Sequence, residues 1–563
     1  MQEYLREKLL IILRSIEGVP EGFEPEFEHP ADPAHGDLAT NTPMRLARDL
    51  RRAPRVIAGE IASALAALPL DTDRIAAVEV AGPGFLNFRY STGHLFDGLA
   101  RILEEAERFG HRPSGSRGTA IVEFVSANPT GPLTVGHGRN AVLGDTIANL
   151  LEWDGYSVTR EYYFNDAGRQ MRVLGQSVRA RYDALAQPGF PTRTMDADGQ
   201  SIEVPESFPE DGYLGDYIED IAAALYEEHG DDLVPLDDPE PFKKAAEVRI
   251  FADINATLGR LGIHMDSYFN EKTLYDSGAV WSVVDRFKEK GLAFEQDGAV
   301  WMRTSELGKE SDTVLVKSTG EPTYRLPDIG YHVDKVERGF NLIVDVFGAD
   351  HIATFPDVLS GVEALGYRTS HIEVVIYQFV TLVRQGQPVK MSTRKARYVT
   401  LDDLMDEVGE DVTRFFFLMR SPNTHLEFDL DLAREASETN PVFYLQYAHA
   451  RICSILRKAE EVGFAFVDSP AYSLLTHDAE EALIRELLLF PEMIERAAEA
   501  REPHRISNYL REVAAKFTQF YGQCRIIGEE PSLASARMAL ARASRIVLGN
   551  GLSLLGISAP DRM

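Results

Sequence analysis

Apolar residues recur at helical spacing from Tyr4 through Ile16 and again around Pro43–Leu50, and strand-like runs flank the turn Gly82-Pro83-Gly84. This pattern predicts a compact α+β unit over residues 1–110. The stretch Phe109–Gly118 is dense in chain breakers and is read as a domain boundary. Beyond it, Thr119–Val125 is a short β-rich run, Ala141–Leu151 has helical periodicity, and Val158–Phe164 reads again as strand. Strand, glycine loop, helix, strand is the βαβ unit of a parallel sheet. Strand-like runs resume at Val314–Lys317, Leu342–Phe347 and Ile372–Tyr377 and are expected to form the sheet's second half. A proline-punctuated stretch between the halves, with Pro205, Pro209, Pro235, Pro239 and Pro241, reads as an insertion of about residues 170–270. From Asp431 onward helical patterns take over, with Asp478 and Glu481 as a capping pair and Pro491 and Pro503 as kinks or ends. The expected architecture is α/β: an α+β unit (1–110), a Rossmann-like parallel-sheet domain with an insertion (118–430), and an all-α bundle (431–563).

Composition narrows the class. A chain of 563 residues is too long for one core, and its 44% hydrophobic and 26% charged residues suit a folded multidomain protein. No apolar run is long enough to span a bilayer and the N-terminus lacks the sections of a signal peptide, so a cytoplasmic location is expected. With only Cys453 and Cys524, neither a disulfide framework nor a thiolate-rich structural zinc site is expected. The net charge of −30 argues against nucleic acid only at first sight, because residues 196–240 hold sixteen Asp or Glu and no Lys or Arg. Residues 501–545 carry eight Lys or Arg against four Glu, so a local basic surface survives in an acidic whole.

Two segments carry candidate chemistry. In Pro132–Arg139, Gly136 and Gly138 allow close backbone approach at a helix start, and His137 can reach phosphate or ribose oxygens. A dinucleotide fingerprint fits weakly, since Ala141 stands at its third glycine, but that position tolerates alanine and a nicotinamide reading stays open. In Lys390–Arg394 a basic loop is suited to stabilise charge on departing pyrophosphate.

With these two segments in this order, the chain resembles the class I aminoacyl-tRNA synthetases, whose signatures are HIGH and KMSKS. Among them it is most similar to the arginyl-tRNA synthetase family. His35–Asn41, Glu123–Pro132, Asn165–Gln170, Gly348–His351 and Asn440–Arg451 support the likeness over nearly the whole chain. The resemblance implies an enzyme that activates L-arginine with ATP and Mg²⁺ and transfers it to tRNA, with activation dependent on tRNA. It implies His137, Lys390 and Ser392 as catalytic residues, and Thr134, Gly136, His351, Met391 and Arg394 with them around ATP. Glu123, Asp328 and Tyr324 would face the guanidinium, and Ser126 and Asn128 the α-amino and carboxylate end. A fixed planar cation such as guanidinium is best held by carboxylates. By their residue types alone, Glu123 reads as an edge-strand acid paired with a neighbouring Arg, and Tyr324 as a core aromatic.

For tRNA, the resemblance implies contacts by Phe85 and Asn87 in the N-terminal unit and by Tyr447, Arg451 and Met563 in the bundle. A monomer with no membrane partner is expected. Two departures stand out: Thr134 replaces the first histidine of HIGH, and Thr393 the second lysine of KMSKS. They keep a catalytically silent RNA-binding paralogue open as an alternative, beside a class I synthetase for another amino acid.

Overall fold

The computed structural model describes residues 1–563 except 31, 69–70, 167, 198–199, 237, 390–398, 465–466 and 468–469. Its centre is a five-stranded sheet, all parallel, of β1 (Gly118–Glu123), β2 (Tyr156–Phe164), β3 (Ser267–Asn270), β4 (Leu342–Gly348) and β5 (Ile372–Tyr377). The spatial order is β5-β4-β1-β2-β3. Chain order therefore reverses between β1 and β4, and the loops leaving their carboxyl ends part in opposite directions to leave a crevice. Helix α1 (Val135–Trp153) crosses from β1 to β2, and its inward residues Ala141, Leu143, Ile147 and Leu151 are fully buried.

Between β2 and β3 the insertion forms three helices, α2 (Arg169–Ala186), α3 (Asp216–His229) and α4 (Glu240–Arg260), with a hairpin of Thr192–Ala197 and Gln200–Pro205. The expected strand at Val314–Lys317 exists as Thr313–Val316 but does not join the parallel sheet. It pairs antiparallel with Ala299–Met302, in a separate three-stranded sheet ahead of helix α5 (Arg325–Glu337). A short β-rich run identifies a strand without identifying its partner.

The N-terminal unit packs the helices Gln2–Leu13 and Pro54–Ala67 on a three-stranded antiparallel sheet, and its core residues run from Leu5 to Phe88. The next helix, Thr92–Glu105, puts Leu95, Leu99 and Ile102 into the large core shared with the bundle. The breaker-rich stretch at 109–118 thus lies one helix beyond the point where the N-terminal core closes.

The C-terminal bundle starts its first long helix, α6 (Pro441–Glu461), at an Asn440 cap. The helix at Asp478 is capped by His477 with Glu480, not by the expected Asp478 and Glu481 pair. Pro491 and Pro503 stand at helix starts, where a missing N–H costs nothing. No helix among the described residues is long and apolar enough to cross a membrane.

Candidate active site

Loop 124–134 leaves β1 under strain. Val125 and Ser126 both have positive φ, 63° and 40°, which is unfavourable for a β-branched side chain. Buried polar contacts hold the turn. Asn140 on α1 accepts from the Val125 N–H at 2.6 Å and donates to the Val346 carbonyl of β4 at 2.9 Å, stitching the crevice floor together. Ser126 Oγ donates to Glu123 Oε1 (2.9 Å) and accepts from Tyr163 N–H (3.1 Å), and Tyr162 OH donates to the Ala127 carbonyl (2.7 Å). Asn128 is left exposed.

At the start of α1, Thr134 and His137 form a reciprocal capping box. The Thr134 N–H donates to His137 Nδ1 at 3.2 Å, and burial holds the imidazole below its usual pKa, in the acceptor form. Where HIGH has its first histidine, this chain therefore spends a hydroxyl on the helix cap. A Cβ at Gly136 would meet only Thr134 Oγ1, at 3.7 Å, so the backbone there is open to an approaching ligand. Gly144, by contrast, is a packing glycine whose Cβ would sit 2.2 Å from the Phe124 ring. Gly144→Ala is expected to cost about 1–3 kcal/mol of stability and Gly136→Ala none, which thermal melts of the two variants check.

Arg139, next to the motif's end, was not singled out from the sequence. It is fully buried and donates to the carbonyls of Gln378 (2.5 Å), Ser421 (3.2 Å) and Thr424 (3.0 Å), and burial lowers it to about 10. It ties α1 to the segments that follow β5. Lys390, Met391, Ser392, Thr393 and Arg394 lie outside the described residues. Thr400, just after them, pairs with Thr134 in an isolated antiparallel bridge, and Leu401 N–H donates to the Leu133 carbonyl at 2.8 Å. The segment from Thr400 onward thus meets the start of α1 at one edge of the crevice. His351 lies exposed after β4, with its ring stacked on Phe347 at 5.1 Å.

Three acids stand side by side across the sheet, Glu161, Glu123 and Asp345, in register on β2, β1 and β4. Helix α5 neutralises the row. Arg338 grips Glu161 with both terminal nitrogens at 2.7 Å while Tyr331 OH donates to it at 2.6 Å. Burial pushes Glu161 up, but these partners outweigh it and hold it below the usual range. Lys335, wholly buried, donates to Asp345 Oδ1 (2.6 Å) and to Glu123 Oε2. His332 Nε2 lies 3.0 Å from Asp345 Oδ2. Burial again opposes ionisation, yet Lys335 and His332 hold Asp345 low; Glu123 is pushed up by burial and by the Asp345 charge. Glu123 was expected to face the guanidinium or to pair with an Arg on an edge strand. It instead sits on the middle strand with both oxygens engaged, by Lys335 and Ser126.

One turn toward the crevice the balance changes. Tyr324 caps α5 and is 71% exposed, which removes the core-aromatic reading. Asp328 lies four residues on, hence on the same helix face. Burial raises Asp328 to about 7, with the charges of Glu123 and Glu271 adding. Glu271, buried and missed in the sequence because nothing around it forms a motif, is raised by burial and by Asp166, and accepts from Tyr163 OH at 2.8 Å. Among the described residues neither Asp328 nor Glu271 has a cationic hydrogen-bonding partner. The recess thus holds two acids without a salt-bridge partner, with the charges of His332 and Lys335 acting on Asp328 only through space, and fits a cation.

The tRNA candidates divide. Asn87 is buried in the central strand of the N-terminal sheet, 6% exposed and closed to a base here, while Phe85 at that strand's start stays partly open. Arg451, on α6, stacks between the rings of Tyr447 (5.4 Å) and Tyr521 (5.2 Å), and Met563 is exposed. His449, Cys453 and Asp561 together have metal-ligand chemistry. Burial raises the Cys453 thiol to about 11, Arg545 acts on the same groups, and Arg457 donates to the Asp561 carbonyl at 2.9 Å. A protonated thiol beside arginines suits a latch for the C-terminal tail better than a cation site.

Comparison with known proteins agrees with this arrangement. The family description "tRNA synthetases class I (R), catalytic domain" matches residues 99–417, "Arginyl tRNA synthetase N terminal domain" residues 2–90, and "DALR anticodon binding domain" residues 445–563. A curated arginine–tRNA ligase of Salinibacter ruber is 62% identical over the full length of both chains. That of Desulfotalea psychrophila is 50% identical over 95% of this chain and 94% of its own. Among solved structures, a putative arginyl-tRNA synthetase from Campylobacter jejuni superimposes with a TM-score of 0.74 at 31% identity, over 84% of this chain and all of its own. The Thermus thermophilus arginyl-tRNA synthetase, 23% identical, shares the fold over the full length of both chains with a TM-score of 0.77.

Proposed function

The chain belongs to the class I arginyl-tRNA synthetase family, and from that premise we propose that it consumes ATP, L-arginine and tRNA and releases AMP, pyrophosphate and arginyl-tRNA, acting as a cytoplasmic monomer. The observation that carries the substrate is the pair of acids Asp328 and Glu271, which among the described residues have no cationic hydrogen-bonding partner, beside the crevice where β1 and β4 part. Arginine's guanidinium occupies their recess, with Tyr324 at the rim. Its α-amino and carboxylate end lies toward Ser126 and Asn128, next to the helix that receives the nucleotide. Glu123 acts from behind, by holding Ser126.

ATP lies across the start of α1, its phosphates toward Gly136 and His137 and toward the positive end of the helix. Since the Thr134 hydroxyl is taken by the cap, backbone N–H groups supply what a histidine side chain supplies in HIGH. Mg²⁺ arrives with ATP. The arginine carboxylate attacks the α-phosphorus and the bond to pyrophosphate breaks, with Lys390, Ser392, Met391 and Arg394 closing over the departing group. A terminal ribose hydroxyl of tRNA then attacks the mixed anhydride and expels AMP. No general base is needed; positioning and charge stabilisation supply the rate. Phe85 at one end, and Tyr447, Arg451 and Met563 at the other, contact the tRNA, while Asn87 supports that strand from within the N-terminal sheet.

Pyrophosphate exchange measured over all twenty amino acids, with and without tRNA, tests the reading. Exchange is expected with arginine alone among them, and only when tRNA is present. Full-rate exchange without tRNA would remove the tRNA dependence, and no exchange with any amino acid would remove the synthetase reading. Gly136→Ala is expected to raise the KM for ATP without a change in melting temperature.

A further inference from the structure

The insertion between β2 and β3 has no part in the chemistry just described, yet two of its side chains reach the loop that bears Asn128. Tyr217, in the first turn of α3, donates its hydroxyl to the Thr130 carbonyl at 2.5 Å. Tyr213, four residues earlier, also brings its hydroxyl within hydrogen-bonding reach of Thr130. The arm that carries both tyrosines is tied down at its base. Tyr213 N–H donates to Ser177 Oγ on α2 at 3.1 Å, and Asp211 pairs with Arg169 at the start of α2 at 2.6 Å.

Loop 124–134 needs such a tie. Its first half is pegged by the parallel-sheet domain itself, at Val125 through Asn140, at Ser126 through Tyr163 and at Ala127 through Tyr162. After Ala127, among the described residues, the backbone of the loop is held by the tight turn from Thr130 N–H to the Asn128 carbonyl, at 2.7 Å, and at its far end by Leu401 N–H on the Leu133 carbonyl, at 2.8 Å. The Thr130 carbonyl is where an outside group can fix the position of Asn128, and Tyr217 occupies that carbonyl.

We propose that the insertion clamps the amino-acid-binding loop, with Tyr217 as a positioning residue that sets Asn128 against the α-amino and carboxylate end of arginine. This rests on the reading of that loop as part of the arginine site. The clamp gives the acidic insertion a role in the reaction without any contact between it and substrate. It acts on the amino acid and not on the nucleotide, because the Gly136 and His137 turn is fixed independently by the capping box and by Arg139.

Tyr217→Phe in the full chain removes the hydroxyl and keeps the ring, which packs against the central core. In tRNA-supported pyrophosphate exchange the variant is expected to raise the KM for arginine about 3- to 10-fold, the range for one lost hydrogen bond, with the KM for ATP changed less than about 2-fold. Hydrogen exchange read by mass spectrometry is expected to quicken in peptides covering 126–134 and to stay unchanged in α2 and α4. Unchanged arginine KM, or equal rises in both KM values with a fallen melting temperature, overturns the clamp. Asn128→Ala, measured alongside, separates the two readings. If it leaves the arginine KM unaltered, the loop's assignment to arginine fails, and the exchange rates of Tyr217→Phe alone then decide whether the insertion holds the loop.

Discussion

Replacing Lys335 by Met is expected to destabilise the parallel-sheet domain by about 3–5 kcal/mol, the cost of stranding buried carboxylates without their cation. Lys335 is fully buried and is, among the described residues, the ammonium shared by Asp345 and Glu123, which stand in register on adjacent strands. Methionine fills much the same volume, so the loss reports charge and not packing. The pH dependence follows from the same contacts. In the unaltered chain the low pKa of Asp345 contributes stability that is present above its unfolded value and is lost as pH falls. Without Lys335, burial raises both acids above their unfolded values, so the deficit of the variant is largest at neutral pH and shrinks on acidification. The second change Glu123→Gln, made on Lys335→Met, is expected to recover part of the loss, since it removes one of the two stranded charges. Urea midpoints of the single and double variants at pH 5 and 8 check this. A single variant within 1 kcal/mol of the parent at pH 8 would sink the account.

That row of acids also shows where reading from the sequence stops. The strand that ends at Glu123, the glycine loop after it and the helix after that were legible because periodicity and chain breakers are local signals. The parallel sheet, the insertion and the bundle followed from them. Partners brought together by folding were not legible. Glu123 finds Lys335 from 212 positions away, and nothing around either residue announces the other. The strand at 313–316 was found but given to the wrong sheet, because β-propensity does not encode pairing. Asp328 was reached only through resemblance, and Glu271 not at all. Both are single acids in unremarkable surroundings, and their distinction is the shared recess and, among the described residues, the lack of a cationic hydrogen-bonding partner. Thr134 shows the converse: read as a missing imidazole, it proves to be a helix cap whose hydroxyl is already committed.

Asp328→Asn is expected to weaken arginine binding most among single changes in the site. Truncating one partner of a desolvated charge pair costs about 2–5 kcal/mol, or roughly 30- to several-thousand-fold in affinity. The loss should fall on arginine alone, with the KM for ATP nearly unchanged, because the nucleotide region at Gly136 and His137 is built by α1 and not by α5. Asp328 also makes a second, independent prediction. Burial holds its pKa at about 7 in the free protein, so near neutrality about half the molecules carry a neutral carboxyl there. A guanidinium favours the carboxylate and lowers that pKa, so binding releases a proton. Arginine affinity is therefore expected to tighten as pH rises through about 7 and to level off above it, whereas Asp328→Asn should lose the dependence along with the affinity. Calorimetric titrations of arginine, with tRNA present, in buffers of different ionisation enthalpy read the proton release directly. No release at pH 7, or an Asn variant that keeps both its affinity and its pH slope, would move the guanidinium elsewhere, and Glu271→Gln would then be the change to follow. Glu271 is buried in the same recess but accepts a hydrogen bond from Tyr163. Its truncation is therefore expected to cost less than that of Asp328, and the order of the two losses identifies which carboxylate the cation faces.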